Sequence, residues 1–510
     1  DQPTTTLWYH DHSLGITRLN VYAASAGFWL IRDTLDGETG LVSGVLPGPA
    51  PAAGQNPNGD PAVRKAIREI PLAIQPKSFN ADGTQYYPAD RAFFEGLGDG
   101  GTFADNIGVN IPFLPDGASD IAPVWNPEAF FNTMVVNGNT WPVLEVAPER
   151  YRFRVLNASD SRFMNLALFR VRGNGQPSQL EFPIYAIGSD QGLLPQVVQI
   201  QTGFATALPG DGRAACEPFW LDILARLPPR IAAIVQGVLE RRCVLPVPGT
   251  FAEQALLVGP AERHDVIVDF TGLPNGTRIR MINTAPDAPF GGFPDVPADP
   301  DTTGQVMEFV VNTALATPGG DPSSLPEDLV LDANPGGVAK NGTPDALQDL
   351  ALLEEESALL CVTIDAVTGV IDQDLNSIPP NCDPVLGSVP FAPKEAVLGV
   401  SGSTGGITQL WDDPISTNPA VNTVEEWSLW NHSADAHPIH LHLVKFEVVS
   451  RGLIGAPAPL PGTGVQPWEN GWKDTVIAYP DEVTRVKALF DIEGLYVWHC
   501  HILSHEDHEM

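Results

Sequence analysis

Short runs in which apolar and polar side chains alternate, each closed by glycine, proline, asparagine or aspartate, recur along most of this 510-residue chain. Successive side chains of an extended strand point to opposite faces, so such alternation describes strands buried on one side. The clearest are Glu69–Ile74, Thr133–Val136, Arg150–Asn157, Gln196–Thr202 and Val266–Phe270 in the first part. In the last third they are Glu425–Leu429, His440–Val449, Val483–Phe490 and Tyr496–Cys500. Near the start, Thr5 to His12 and Gly15 to Asp33 read as two more strands. With 49 prolines and 48 glycines, little of the chain can hold a long helix. The expected fold class is therefore all-β.

One segment departs from that pattern. Residues 218–242 carry apolar side chains at helical spacing on both sides of Pro228-Pro229, which predicts a small helical insertion at about 216–243, packed on a sheet or lying over a substrate site. Turn-rich residues 45–62 and 313–328 predict linkers, leaving bodies over 63–312 and 329–510. A chain of this length exceeds one ordinary domain.

The formal net charge of −34 argues against nucleic acid or an anionic membrane as partner. No apolar run reaches the roughly 18 residues of a spanning helix. Of the five cysteines, Cys500 lies among histidines. Cys216, Cys243, Cys361 and Cys382 remain, as free thiols or as two bridges in one of three pairings, with proximity favouring Cys216–Cys243 and Cys361–Cys382.

The chemistry lies in the histidines. Eight of 11 fall in three clusters: His10 and His12; His437, His440 and His442; His499, His501 and His505. His264, His432 and His508 read as ordinary surface or interface residues. On a strand, residues i and i+2 share a face, so His10/His12, His440/His442 and His499/His501 each present two imidazoles together, while Cys500 points the other way. One strand can then serve two metal sites. Cys500, His505, Met510 and His437 supply a thiolate, two imidazoles and a thioether, the donor set of a blue-copper electron-transfer centre. Zinc also takes cysteine and histidine, but favours a closed tetrahedron and rarely recruits methionine. The paired imidazoles offer only nitrogen, which suits further copper.

Several segments resemble the three-domain multicopper oxidases, in particular the bacterial spore-coat laccase and bilirubin oxidase branch. They are LWYHDHSLGITRLNVYAASAGFWLIRD (7–33), VVNGNTWPVLEVAPERYRFRVLNAS (135–159), GPAERHDVIVDF (259–270), HPIHLHLVKFEVVSR (437–451), NGWKDTVIAYPDEVTRV (470–486) and YVWHCHILSHEDHEM (496–510). The resemblance implies cupredoxin-like Greek-key β-sandwich domains, with residues 1–44 as the remnant of a truncated first one. It implies a type 1 copper on His437, Cys500 and His505 with Met510 axial, a type 2 copper on His440, and a binuclear type 3 pair, one ion on His12, His442 and His499 and the other on His10 and His501. It places Glu506 as a proton-delivering acid beside the oxygen-reducing cluster.

The family carries a further HxHG copper motif ahead of the segment containing His10, and residues 1–510 hold none. On that ground both ends are expected to be cut, and the oxygen-reducing cluster of this chain to be empty or poorly filled. The expected function is a copper-dependent oxidase that couples one-electron oxidation of phenolic or similar small molecules to four-electron reduction of dioxygen to water. The alternative is an electron-transfer copper protein retaining only the type 1 site. The expected partners are a small-molecule electron donor and dioxygen. An extracytoplasmic or spore-coat location is expected, although no targeting segment is visible. The N-x-[ST] triplets at Asn157, Asn275, Asn341 and Asn431 are expected to be coincidental.

Overall fold

In the computed structural model the described residues are 4–32, 41–88, 127–171, 177–201, 255–331, 342–364, 371–402, 405–455 and 464–510, less one to three positions inside some of these ranges, with scattered positions elsewhere. The helical insertion expected at about 216–243, and the pairing of Cys216 with Cys243, fall almost wholly outside them.

Two β-sandwiches account for most of these residues. In the first, a seven-stranded sheet runs in the order Gly192–Ile200, Ile184–Ser189, Arg263–Asp269, Arg150–Asn157, Glu69–Ile74, Val135–Val136 and Asn139–Thr140. It faces a sheet ordered Pro177–Phe182, Met164–Val171, Arg278–Asn283, Gln305–Val311 and Val143–Val146, with Leu256–Val258 alongside Met164–Val171. Phe153, Val155, Val266 and Val268 from one face pack on Leu166, Leu168, Ile279 and Phe309 from the other. Glu69–Ile74 lies parallel to Arg150–Asn157, so the chain crosses between sheets there.

The second sandwich has a six-stranded sheet ordered Gly405–Gln409, Glu395–Gly402, Ala346–Glu355, Thr423–Asn431, Glu482–Phe490 and Phe446–Leu453. Against it lies a short sheet with His437–Leu441 between Thr475–Ala478 and Trp498–Cys500. The core between them, with Leu429, Ile439, Phe446, Val476, Cys500 and Met510, also takes in Phe163, Leu257 and Phe290 of the first sandwich, so the two bodies share apolar contact. A buried charge network ties them further. Arg263 Nη1 donates to Asp474 Oδ1 at 2.8 Å, and Lys473 Nζ lies 3.0 Å from both Asp190 and Glu262. Each cation is matched there, as burial of charge requires.

Several expectations change. Gly15 to Asp33 is not one strand: Thr17–Tyr22 is a helical turn and Ala26–Ile31 the strand. Thr5–His10 pairs antiparallel with Ala26–Ile31, and a chain that must return on itself cannot stay extended in between. Asp11 braces the return, its Oδ1 accepting from Ser13 N at 3.1 Å and Asn20 Nδ2 at 2.9 Å. The first strand also ends at His10, two residues short of His12. His440–Val449 divides into His437–Leu441 and Phe446–Leu453, which belong to different sheets; Leu443, at φ +70°, makes the break. His264 is not exposed. It is 1% accessible on a strand flanked by Arg150–Asn157 and Ile184–Ser189, within electrostatic reach of Lys473 of the other body.

The two turn-rich stretches meet, Ser324 N donating to Val45 O at 2.8 Å, and just outside them Leu41–Ser43 pairs with Val330–Leu331. Cys361 and Cys382 are disulfide-bonded. Asn157 and Asn431 are fully buried, each with Oδ1 accepting from the backbone N–H two residues on, so neither triplet can serve as a glycosylation acceptor.

Candidate copper centres

The strand Trp498–Cys500 pairs through Ile439↔Cys500 and His440↔His499, which sets the two histidine-rich segments in register. Cys500 points inward and is fully buried. Its Sγ lies 3.6 Å from His437 Nδ1 and 3.7 Å from His505 Nδ1. A metal with about 2.0 Å to nitrogen and about 2.3 Å to sulfur, at trigonal angles, separates the two donors by about 3.7 Å, so the spacing fits an ion. Ser433 Oγ meets His437 Nε2 at 2.6 Å, holding that ring. His505 sits on the short helix Leu503–Glu506 directly after the strand. Met510, 2% exposed, returns beside Cys500: its carbonyl accepts from Cys500 N at 2.7 Å.

Burial explains the titration of this group. It holds His437 down at about 3 and His505 well below the usual imidazole range, and pushes the Cys500 thiol well up. The imidazoles are neutral ligands at any ordinary pH, whereas the thiol must give up its proton to a metal.

On the opposite face six imidazoles converge. His12 Nε2 and His442 Nε2 lie 3.3 and 3.1 Å from His499 Nε2. His10 Nε2 lies 3.2 Å from His501 Nε2. Two nitrogens at about 2.0 Å from one ion at a tetrahedral angle lie about 3.3 Å apart, so these pairs too are spaced for metal. His440 joins them, its ring centroid 5.5 Å from His499 and 5.9 Å from His501. Three rings are set by backbone carbonyls: the Nδ1 atoms of His10, His440 and His499 contact Asp11 O at 2.7 Å, Asp474 O at 2.8 Å and Cys500 O at 3.0 Å. With the proton on Nδ1, each leaves Nε2 bare toward the shared space. Burial keeps His10 near 4 and His442 near 3, and lowers His12, His499 and His501.

Glu506 stands beside this face. Its oxygens lie 3.4 Å from His12 Nδ1 and 3.4 Å from His499 Nδ1, and Oε2 is buried without a hydrogen-bond donor among the described residues. Burial raises the carboxyl to about 8, so it holds a proton at neutral pH.

All ten proposed ligands and Glu506 thus fall in two adjoining groups, back to back on one strand. Sequence reasoning missed three acids next to the first group: Glu128, Glu354 and Asp435. The oxygens of Glu128 and Asp435 lie within 4.8 Å of each other and of a His505 ring nitrogen, and those of Glu354 and Asp435 within the same distance of His437. Asp435 stands two residues before His437 and could have been marked by that spacing. Glu128 belongs to no recognisable motif.

Residues 396–510 match the multicopper oxidase family. Over 519 aligned residues the chain is 30% identical to a laccase of Bacillus stratosphericus, covering all of this chain and 71% of that protein. It is also 30% identical to a laccase of Bacillus subtilis (strain 168), over 99% of this chain and 69% of that one. Among solved structures, the McoA multicopper oxidase of the hyperthermophile Aquifex aeolicus superposes with a TM-score of 0.53 at 20% identity, over 99% of this chain and 74% of that chain. The chain belongs to the multicopper oxidase family, and its sandwiches have the cupredoxin-like fold. It is an oxidoreductase, and membership implies copper as its cofactor.

Proposed function

We propose that this oxidoreductase takes single electrons from small electron-rich molecules, phenols among them, and uses four of them to reduce one dioxygen to two waters. The observation that carries the reading is the Trp498–Cys500 strand, whose Cys500 faces one donor group while His499 and His501 face the other.

His437, Cys500, His505 and Met510 would hold a type 1 copper, which supplies one-electron chemistry when bound. His440 would hold a type 2 ion, His12, His442 and His499 one type 3 ion, and His10 and His501 the other. The covalent route from Cys500 Sγ through its backbone to either neighbouring imidazole is short and buried. Water is kept from Sγ by Ile439, Ile502 and Met510, all 0–2% exposed. Glu506 keeps a proton on a carboxyl whose Oε1 lies 3.4 Å from His12 Nδ1 and whose Oε2 lies 3.4 Å from His499 Nδ1, which suits it to deliver protons where dioxygen would be reduced.

Among the described residues no helix is long and apolar enough to cross a membrane. The Cys361–Cys382 bond supports an extracytoplasmic place for the chain, where disulfides persist.

The test is dioxygen uptake with a phenolic donor, together with a copper count per chain. Uptake with four coppers establishes the oxidase. About one copper and no uptake would mean that residues 1–510 act as an electron-transfer protein, a reading that the family membership does not favour.

A further inference from the structure

His10 and His12 reach the imidazole face on a hairpin, in which Thr5–His10 pairs with Ala26–Ile31 and the helical turn Thr17–Tyr22 lies between them. Opposite stand His442, His499 and His501, on and beside the short sheet of the second sandwich. Rings spaced to share an ion do little to hold one another, so other contacts must seat the hairpin before an ion arrives. At one end these are plain. Thr5 Oγ1 donates to Asp190 O at 2.7 Å, and Arg32 Nη2 donates to Glu69 Oε1 at 2.8 Å. Both contacts lie away from His10, because Thr5 faces Ile31 across the hairpin whereas His10 faces Ala26.

Near the histidines the hairpin is held through its helical turn. The turn has no cap of its own: Ile16, just ahead, makes no side-chain cap, and the first residues include no acid. Its leading N–H groups would be left over, as at any helix start. Asp507 takes them from the far end of the chain. Its Oδ1 accepts from Thr17 N at 2.9 Å, and its Oδ2 accepts from Arg18 N at 2.9 Å and Arg18 Nη1 at 2.8 Å. The Asp507 side chain is 2% exposed, so water competes little for these bonds. A carboxylate also suits the positive end of the turn. At the other end of the turn, Gln75 Nε2 donates to Val21 O at 2.8 Å and Lys77 Nζ donates to Tyr22 O. The turn is gripped from both sandwiches, by Gln75 and Lys77 of the first and Asp507 of the second. Asp507 directly follows Glu506, whose oxygens lie against His12 and His499.

We propose that Asp507 is a positioning residue for the imidazole face: it pins the turn that follows His12 to the segment carrying Glu506, and so keeps His10 and His12 opposite His442, His499 and His501. It acts through Thr17 and Arg18 rather than as a ligand. The two faces of the Trp498–Cys500 strand then differ in what completes them. His437, Cys500, His505 and Met510 lie within one body and need no such clamp, whereas the imidazole face is complete only while Asp507 holds. The effect on copper rests on the reading of these imidazoles as ligands; the clamp itself does not.

Asp507→Asn keeps the volume and one acceptor oxygen but gives up the charge and the second acceptor. In the copper-free full chain, hydrogen exchange read by mass spectrometry should show residues 5–31 exchanging roughly tenfold faster or more, with the Thr423–Asn431 strand unchanged. In competition with a chelator, copper on the imidazole face should bind weaker by roughly tenfold or more, while the blue thiolate band keeps its position and intensity. Arg18→Ala spares the backbone bonds, so its loss should be smaller, about threefold, and Arg18→Lys should restore most of it. The alanine variant carries the test should the asparagine variant not fold. Arg32→Gln, which breaks a contact at the far end of the same hairpin, should leave both kinds of copper as they are. The clamp is overturned if neither Asp507→Asn nor Arg18→Ala changes exchange or imidazole-face copper. It is overturned also if a folded Asp507→Asn chain loses the blue band equally, or if Arg32→Gln displaces the same copper. A wild-type chain that takes no copper on that face sinks the ligand reading, and the exchange rates then decide the clamp by themselves.

Discussion

On one side of the Trp498–Cys500 strand, His437, Cys500 and His505 are fully buried and Met510 is 2% exposed. On the other, His499 and His501 are buried, but His10, His440 and His442 are half-exposed and the His12 side chain retains 34% of its surface. The first group is drawn from one body and enclosed by its core. The second gathers rings from both ends of the chain, with His10 at the end of the Thr5–His10 strand and His12 in the turn beyond it. A site assembled within one hydrophobic core is closed by folding itself, whereas a site at the meeting of segments stays as open as the contacts between them.

That contrast can be broken most severely at the shared strand. Cys500→Ser should abolish the thiolate-to-copper blue band completely while copper still binds the imidazole face, read by optical and spin-resonance spectra of the copper-loaded variant. Loss of all copper would show that the faces are not independent. Glu506→Gln should slow dioxygen reduction about a hundredfold without altering reduction at the Cys500 side, in stopped-flow traces of each step. The protonated acid is present below about pH 8 and lost above it, so wild-type uptake should fall as pH rises through 8. The glutamine variant should lack that limb.

A smaller difference separates the two faces in competition with a chelator. The Cys500 thiol is held protonated by burial, so each copper bound there displaces one proton and affinity should rise about tenfold per pH unit. His10 and His442, near 4 and 3, are already bare above pH 6, and copper on that face should show no such slope. Least of all, Met510→Leu should keep the blue band and raise the potential, because a thioether stabilises the oxidised ion. A potential unchanged or lowered in a redox titration would mean that Met510 is not axial.

Much of this was legible in the sequence because strand alternation and histidine spacing obey one geometry. Glu69–Ile74 and Arg150–Asn157 have the bounds that their patterns suggest, and the i/i+2 rule separates Cys500 from His499 and His501. What was not legible is set by partners distant in sequence. The Gly15–Asp33 run has strand-like composition, yet pairing of Ala26–Ile31 with Thr5–His10 forces a turn into it. The continuous apolar pattern after His440 hides the left-handed Leu443, because crossing between sheets leaves no mark on hydrophobicity. Glu128 reaches His505 only through the packing of one sandwich on the other, and no local spacing announces it.

The close seating of two metal groups on one short strand also bears on how such a protein can change over time. Its side chains alternate by register, so a single inserted residue between Trp498 and His501 would turn the thiol outward and one imidazole inward together. Neither group can drift by insertion or deletion without carrying the other, and point substitution is the only independent path open to each.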